Sequence, residues 1–362
     1  MKIIQVVPVV TYGDAIGNDT LALDKLIRKL GFTTFIYAEA VGKRVPKGMV
    51  RFMTEWVEPE RDDVILYHMA IAFSHIDKVI DSKCRKIAIY HNITPAIFYR
   101  KYDRVAYELC RRGLNQAERL NSVFDYCLAD SEFNKQDLVS MGYQCPIDVL
   151  PILIPFRDYQ QAPKKSIVKK YKGKETNILF VGRVVPNKKQ EDIIAVFYYY
   201  KKYYDSNAKL FLAGSFNQGS YCESLKKYIQ ALGLEKDVII PGHIKFDEIL
   251  GYYATADLFL CMSEHEGFCV PLVEAMLFNV PIIAYNSSAV GETLNGSGIL
   301  LEQKSFPEIA GLLDRVVQDR ELKERIIRNQ RERLRFFRTS RIEKMFKNYL
   351  LQFIGMNNEY TN

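Results

Sequence analysis

The chain has 362 residues, 48% hydrophobic and 26% charged, with a formal net charge of +7. That balance marks a soluble globular protein long enough for two domains, and no apolar run reaches the roughly 18–20 residues that cross a bilayer. The moderate positive charge suits anionic ligands or an anionic membrane surface and is a weak argument for nucleic acid.

The opening run, Met1 to Val10, is too short for a secretory leader and is soon followed by Gly13-Asp14 without a small-residue cleavage site, so it reads as a first strand, Ile3–Val10. Further strand candidates in the first half are Thr34–Ala38, Val64–His68, Lys86–Tyr90, Tyr126–Ala129 and Ile147–Leu150. The second half offers Asn177–Val181, Lys209–Ala213, Val238–Ile240, Asp257–Met262 and Pro281–Ala284. Near-continuous apolar strands separated by helix-length segments imply a parallel sheet covered on both faces. The pattern occurs twice, which makes the chain α/β with two sheets.

Between the halves, Pro151-Ile-Leu-Ile-Pro155 leads into the lysine-rich stretch 160–176, read as a linker because proline disfavours helix and charge disfavours a core. From Phe306 onward apolar residues recur at helical spacing among Arg, Lys and Glu, and the polar tail Asn357–Asn362 is expected to fray. The domains are expected at 1–155 and 156–335, with a last helix, 336–358, completing the first. Two such units facing one another would leave a cleft between their strand ends, where a ligand would touch both.

Several segments at the carboxyl ends of strands carry candidate chemistry, which is where open α/β sheets bind ligands. Tyr12-Gly13-Asp14-Ala15-Ile16-Gly17-Asn18-Asp19 precedes a helix expected over Thr20–Leu30, and glycines there can expose backbone N–H groups to phosphate. Asp14 and Asn18 also suit plain turn and capping roles. His91, in Tyr90-His-Asn-Ile-Thr-Pro95, can be a hydrogen-bonding or proton-transfer group near neutral pH, and His68 at the end of the preceding strand is an equal candidate. Gly182-Arg183-Val-Val-Pro-Asn-Lys188 places two cations where they can converge on one anion, although a solvated basic loop has the same composition.

The run Glu266-Gly267-Phe268-Cys269-Val270-Pro271-Leu-Val-Glu274 carries two carboxylates around a proline that suits the first turn of a helix. Glu266 is expected in the strand-to-helix loop and Glu274 in the first turns of the helix. Each can accept two hydrogen bonds from a vicinal diol. A solvated loop acid and an acid favoured by the helix dipole are the plainer alternatives. Asn286–Thr293 offers small side chains and backbone amides before a short helix, suited to a sugar, a phosphate or an ordinary cap. Seven scattered cysteines without a CxxC pair, and five histidines without ligand spacing, argue for reduced buried thiols in a cytoplasmic protein and against a zinc site.

Over about Asn177 to Leu301 the chain resembles the retaining nucleotide-sugar glycosyltransferases of family 4. Phe180-Val-Gly-Arg183 followed by Lys188 is similar to that family's FVGR…K segment, and Glu266 to Glu274 to its E-x7-E signature. The resemblance implies the GT-B architecture of two facing Rossmann-like domains with an interdomain cleft, the first on the acceptor side and the second holding the donor. It implies that Arg183 and Lys188 hold the donor diphosphate, that Glu266 contacts the transferred sugar and that Glu274 takes the ribose hydroxyls. Gly17 would approach the phosphates and His91 would sit beside the sugar, with Gly182, Gly267, Phe268, Cys269 and Val270 lining the donor. No cofactor or metal is implied, which agrees with the lack of a DxD triplet. Two residues depart from the pattern: Cys269 and Lys189 stand where the family most often has glycine.

The resulting expectation is sugar transfer from a UDP- or GDP-linked donor to a saccharide or lipid-linked saccharide. The basic residues between 160 and 174 suggest a peripheral position at an anionic inner membrane face. The rival readings are a non-catalytic sugar-nucleotide-binding subunit, a phosphorylase or hydrolase on the same scaffold, and a nucleic-acid binder using Arg320–Arg341. The last is disfavoured because that helix also carries Glu321, Glu324 and Glu332 and few aromatics placed for stacking.

Overall fold

The computed structural model describes residues 1–215, 219–242 and 244–355, so the expectation for Asn357–Asn362 and the last residues of the helix expected at 336–358 lie outside it. The chain divides into two compact units: residues 1–96, 105–155 and 337 onward form the first, and 97–104 with 156–336 form the second. The short segment 97–104 thus groups with the second unit although it lies inside the first half of the sequence.

The first unit is built on β1 (Lys2–Val10), β2 (Thr33–Val41), β3 (Arg51–Phe52), β4 (Val64–Met69), β5 (Arg85–Tyr90), β6 (Tyr126–Ala129) and β7 (Ile147–Val149). All pairings are parallel, in the order β3-β2-β1-β4-β5-β6-β7. β4 is buried along its whole length and β1 nearly so, as near-continuous apolar strands require when both sheet faces are covered. One face packs on Leu23, Leu26 and Ile27 of the helix Ala15–Lys29, joined there by Ile342, Phe346 and Leu350 of the helix Thr339–Phe353. The end of the chain therefore returns to the first core. Full burial of three such side chains is worth about 1.5–3 kcal/mol each.

The second unit repeats the plan with β8 (Asn177–Val181), β9 (Lys209–Ala213), β10 (Val238–Ile239), β11 (Leu258–Cys261), β12 (Ile282–Tyr285) and β13 (Ile299–Leu301), in the order β10-β9-β8-β11-β12-β13. In each sheet the order reverses beside the first strand, between β1 and β4 and again between β8 and β11. A doubly wound sheet opens a crevice at the carboxyl ends of that strand pair. The loops after β8 and β11, which carry Gly182–Lys188 and Glu266, are therefore neighbours.

Three expectations change. The first helix begins at Ala15, not Thr20, because Asp14 caps it and accepts from the Gly17 N–H at 3.4 Å. The lysine-rich linker contains a helix, Lys165–Tyr171, whose Ile167 packs on the second core beside Gly251. Its lysines hide a short apolar stripe at residues 167, 168 and 171. The edge strands β3 and β13 are two and three residues long, too short to show a period.

Candidate functional site

In the second unit the site grows from the loop between β11 and the helix Val270–Leu277. Pro271 sits in the first turn of that helix, where its missing N–H has no partner to lose. Cys269 caps the helix in the left-handed region, at φ 74°. Lys189, the other residue that departs from the resembled pattern, is also left-handed at φ 52°. Both departures therefore fall where the backbone favours glycine.

Glu266 is 6% exposed and pairs with the Lys188 ammonium, which a short turn at Pro186–Lys188 carries to the end of β8. Burial works against the lysine's charge, but the Glu266 carboxylate prevails and holds the ammonium above its usual pKa. The exposed Arg183 guanidinium opposes that charge from nearby, so the two cations of the loop converge. The start of β9's exit loop needs glycine: a Cβ on Gly214 would fall 1.9 Å from the Gly182 carbonyl oxygen.

The segment Asn286–Thr293 braces this loop. Ser288 Oγ accepts from the Glu266 N–H at 2.7 Å, the Ala289 N–H donates to the Glu266 carbonyl at 3.2 Å, and Thr293 Oγ1 donates to the Phe268 carbonyl at 2.5 Å. Asn187 Nδ2 donates to the His265 carbonyl at 3.0 Å from the other side. Ser288, Ala289 and Thr293 of this segment thus hold the loop backbone at Glu266 and Phe268 in place.

Glu274 lies on the helix and is 9% exposed. Burial raises its pKa, and two tyrosine hydroxyls partly offset this: Tyr159 donates to Oε1 at 2.6 Å and Tyr253 to Oε2 at 2.7 Å. Neither tyrosine carries a sequence signal, since only the fold brings positions 159 and 253 to 274. The cysteines follow suit. Cys261 and Cys269 hydrogen-bond to each other, and their sulfurs and a Glu266 oxygen lie within 4.8 Å of one another.

In the first unit a buried polar chain runs through the sheet. Asp130 Oδ2 meets His91 Nδ1 at 2.9 Å, His91 Nε2 meets His68 Nδ1 at 2.9 Å, and His68 Nε2 meets Gln5 Oε1 at 3.0 Å. The two histidines thus act as one unit. Burial works against the charge on His91, but Asp130 prevails and raises its pKa; burial and the charge on His91 push His68 down. Both His91 ring nitrogens are engaged and its side chain is wholly buried. The ring is drawn inward by Asp130 and His68. Asp19 joins this cluster, with one oxygen within 4.8 Å of a ring nitrogen of each histidine. Gly17 lies in the first turn of its helix, and a Cβ there would fall 2.3 Å from the Thr11 carbonyl oxygen. No larger residue permits that approach of helix to strand end.

Comparison with known proteins bears on the fold and on the second unit. Residues 162–333 match the family described as Glycosyl transferases group 1. The chain is 26% identical over 170 residues to a GDP-mannose-dependent alpha-(1-6)-phosphatidylinositol monomannoside mannosyltransferase of Mycobacterium tuberculosis, covering 44% of this chain and 43% of that protein. It is 27% identical over 213 residues to the capsular polysaccharide biosynthesis glycosyltransferase CapM of Staphylococcus aureus, covering 56% of this chain and 54% of CapM. These matches span only about half of each relative's length. Among solved structures, sucrose-phosphate synthase from Thermosynechococcus elongatus superposes with a TM-score of 0.76 at 14% identity, covering 98% of this chain and all of that one. Anabaena HepE in complex with UDP-glucose gives 0.76 at 17% identity, over 97% of this chain and 100% of HepE. The fold is that of the GT-B glycosyltransferases, and residues 162–333 match the group 1 glycosyl transferase family.

Proposed function

We propose that this chain transfers a sugar, with retention of anomeric configuration, from a nucleoside-diphosphate sugar to a hydroxyl of a saccharide or lipid-linked saccharide. The observation that carries the proposal is the buried Lys188–Glu266 pair with Arg183 beside it, on the neighbouring strand ends β8 and β11. In the transition state the diphosphate gains negative charge as its bond to the sugar breaks. Fixed cations in a water-poor site stabilise that charge far more than they would in water. Arg183 and Lys188 supply them. Glu266 has a second function beyond neutralising Lys188: its oxygens accept hydrogen bonds from the sugar hydroxyls. Glu274 accepts from the ribose diol, alongside or in place of the tyrosine hydroxyls.

No carboxylate stands out as a covalent nucleophile, so the incoming hydroxyl attacks the face the diphosphate leaves, with the leaving phosphate accepting its proton. The reaction uses no bound metal. His91 acts through the Asp130–His91–His68 chain, and Gly17 approaches the phosphates. The names of the relatives support this reading in kind: one uses GDP-mannose on a phosphatidylinositol mannoside, one builds capsule, and HepE binds UDP-glucose. Among the described residues no helix is long and apolar enough to cross a membrane. We place the enzyme in the cytoplasm with the exposed Lys165, Lys169, Lys170, Lys172 and Lys174 against anionic lipid.

A panel of UDP- and GDP-sugars tested for saturable thermal stabilisation of the purified chain identifies the donor, because a ligand bound only by the native state raises its stability by mass action. Donor consumption that depends on an added glycolipid or oligosaccharide then establishes transfer. A chain that is stabilised by none of them overturns the proposal.

A further inference from the structure

Two thiols lie beside the Glu266 carboxylate. Cys261 ends β11 and Cys269 caps the following helix, eight residues on. Both are buried, each hydrogen-bonds to the other, and Cys261 Sγ also lies 3.3 Å from Ser263 Oγ. Both sulfurs and a Glu266 carboxylate oxygen lie within 4.8 Å of one another. Tetrahedral zinc takes sulfur at about 2.3 Å and carboxylate oxygen at about 2.0–2.2 Å, so its ligand atoms stand about 3.3–3.8 Å apart. A set already inside 4.8 Å stands at most about 1.5 Å outside that spacing. The chemistry of the set is thiophilic: two sulfurs and one oxygen suit zinc or cadmium and not magnesium or calcium.

We propose that Cys261, Cys269 and Glu266 form a binding site for a thiophilic divalent cation, and that its occupancy takes Glu266 from Lys188 and closes the donor site. The first half stands on the ligand set; the second rests on the assignment of Lys188 and Glu266 to the donor. Binding forms two metal–sulfur bonds and one metal–oxygen bond, with water in the fourth position. The two thiol protons go to solvent, while Lys188 keeps its proton and loses its counter-ion. Backbone geometry adds a second line of support. Cys269 carries a side chain at φ 74°, where glycine is favoured, and that side chain is spent on Cys261.

The test titrates the full chain, reduced by a phosphine, with cadmium and follows the ultraviolet thiolate-to-cadmium absorption together with proton release in weak buffer. Wild type is expected to take one cadmium on two thiolates and release about two protons. Cys261→Ala is expected to lose the absorption while keeping its fold by circular dichroism. Cys145→Ser serves as the control, because Cys127 and Cys145 form another close thiol pair, at 3.4 Å; it is expected to keep the absorption. A band that survives in Cys261→Ala or disappears in Cys145→Ser overturns the site. In donor turnover, zinc is expected to inhibit wild type at least about tenfold, equal to 1.4 kcal/mol, and to leave Cys261→Ala at its unchanged basal rate. Cadmium binding at Cys261 without inhibition by zinc overturns the coupling to the donor site and leaves the metal site standing. If no donor is turned over by any variant, it is the transfer reading that fails, and the spectroscopic arm still decides the metal site.

Discussion

Lys188 and Glu266, 78 positions apart in sequence, pair their charges through side chains that are 15% and 6% exposed. They meet because β8 and β11 are adjacent in the sheet, so the loops leaving them run side by side. A charge that far out of water needs its partner, since an unpaired one keeps most of its desolvation cost. The pair is therefore a structural element before any ligand arrives, and its contributions to stability and to catalysis can be separated.

Removing either partner alone leaves the other buried and uncompensated, which costs about 3–5 kcal/mol. Lys188→Ala and Glu266→Ala are each expected to lower the urea midpoint of unfolding accordingly and to reduce donor turnover by orders of magnitude. The double variant Lys188→Met/Glu266→Leu replaces the pair by apolar groups of similar size, so it regains most of the stability and none of the turnover. A double variant that stays as unstable as the singles shows that the pair is held by more than its mutual charge.

Glu274 is kept in the second unit by two hydroxyl donors of unequal standing. Tyr253 is 1% exposed and stacks on Phe259 and Phe278, whereas Tyr159 is partly exposed and packs edge-on against Phe246. Losing one donor to a buried carboxylate costs about 1–3 kcal/mol, so Tyr253→Phe is expected to destabilise the protein within that range and to push the Glu274 pKa further up. Burial already raises that pKa, so the glutamate contributes stability that is full below the ordinary glutamate range and lost as pH rises through its folded value. Tyr253→Phe extends this loss to higher pH. Thermal melts of the two proteins across the acidic range check it: parallel curves would show that the hydroxyl does not tune the carboxylate.

The doubled strand pattern and the Pro271 helix start were legible because each rests on local rules: apolar runs buried on both faces, and a proline that fits only a first turn. The loops carrying Arg183, Lys188 and Glu266 were legible because open sheets collect chemistry at strand carboxyl ends. What escaped the sequence was tertiary. Nothing in Tyr159 or Tyr253 announces that both reach Glu274, and Cys261 and Cys269 show no ligand spacing until a strand end and a helix cap fold together. His91 was legible as a position but not as an environment, since its burial depends on Asp130 and His68 from other strands.

Gly17 tests how closely the first helix must approach the end of β1. An added Cβ would meet Thr11 backbone atoms at 2.3 Å and 2.8 Å, and backbone cannot swing aside as a side chain tip can. Overpacking of this kind costs about 1–3 kcal/mol. Gly17→Ala is expected to lose stability in that range and to weaken nucleotide-sugar binding, because the helix start moves away from the strand. Calorimetric titration with the donor identified in the thermal screen measures both stoichiometry and affinity; wild-type affinity in a destabilised Gly17→Ala protein would remove Gly17 from the donor site.

Asp19 makes the first unit sensitive to pH. It is 3% exposed, accepts from the Leu153 N–H at 2.8 Å, and faces His91, His68 and Asp130. Burial pushes its pKa from 3.8 up to about 7, with the charge on His91 pulling it back and that on Asp130 pushing it up. In the unfolded chain Asp19 ionises near its ordinary pKa, while in the native protein it resists until about pH 7. The stability it contributes is therefore full below pH 3.8 and lost as pH rises to about 7, a change of about 4 kcal/mol at 1.36 kcal/mol per pH unit. The raised His91 pKa acts in the same direction, since its contribution too is lost as pH rises through its folded value. Asp19→Asn keeps the acceptor for Leu153 and cannot ionise, so the variant gains on wild type between about pH 4 and pH 7 and runs parallel to it above. Urea unfolding at intervals across that window measures the difference, and curves that stay parallel from pH 4 upward would mean that Asp19 is ionised in the native protein throughout.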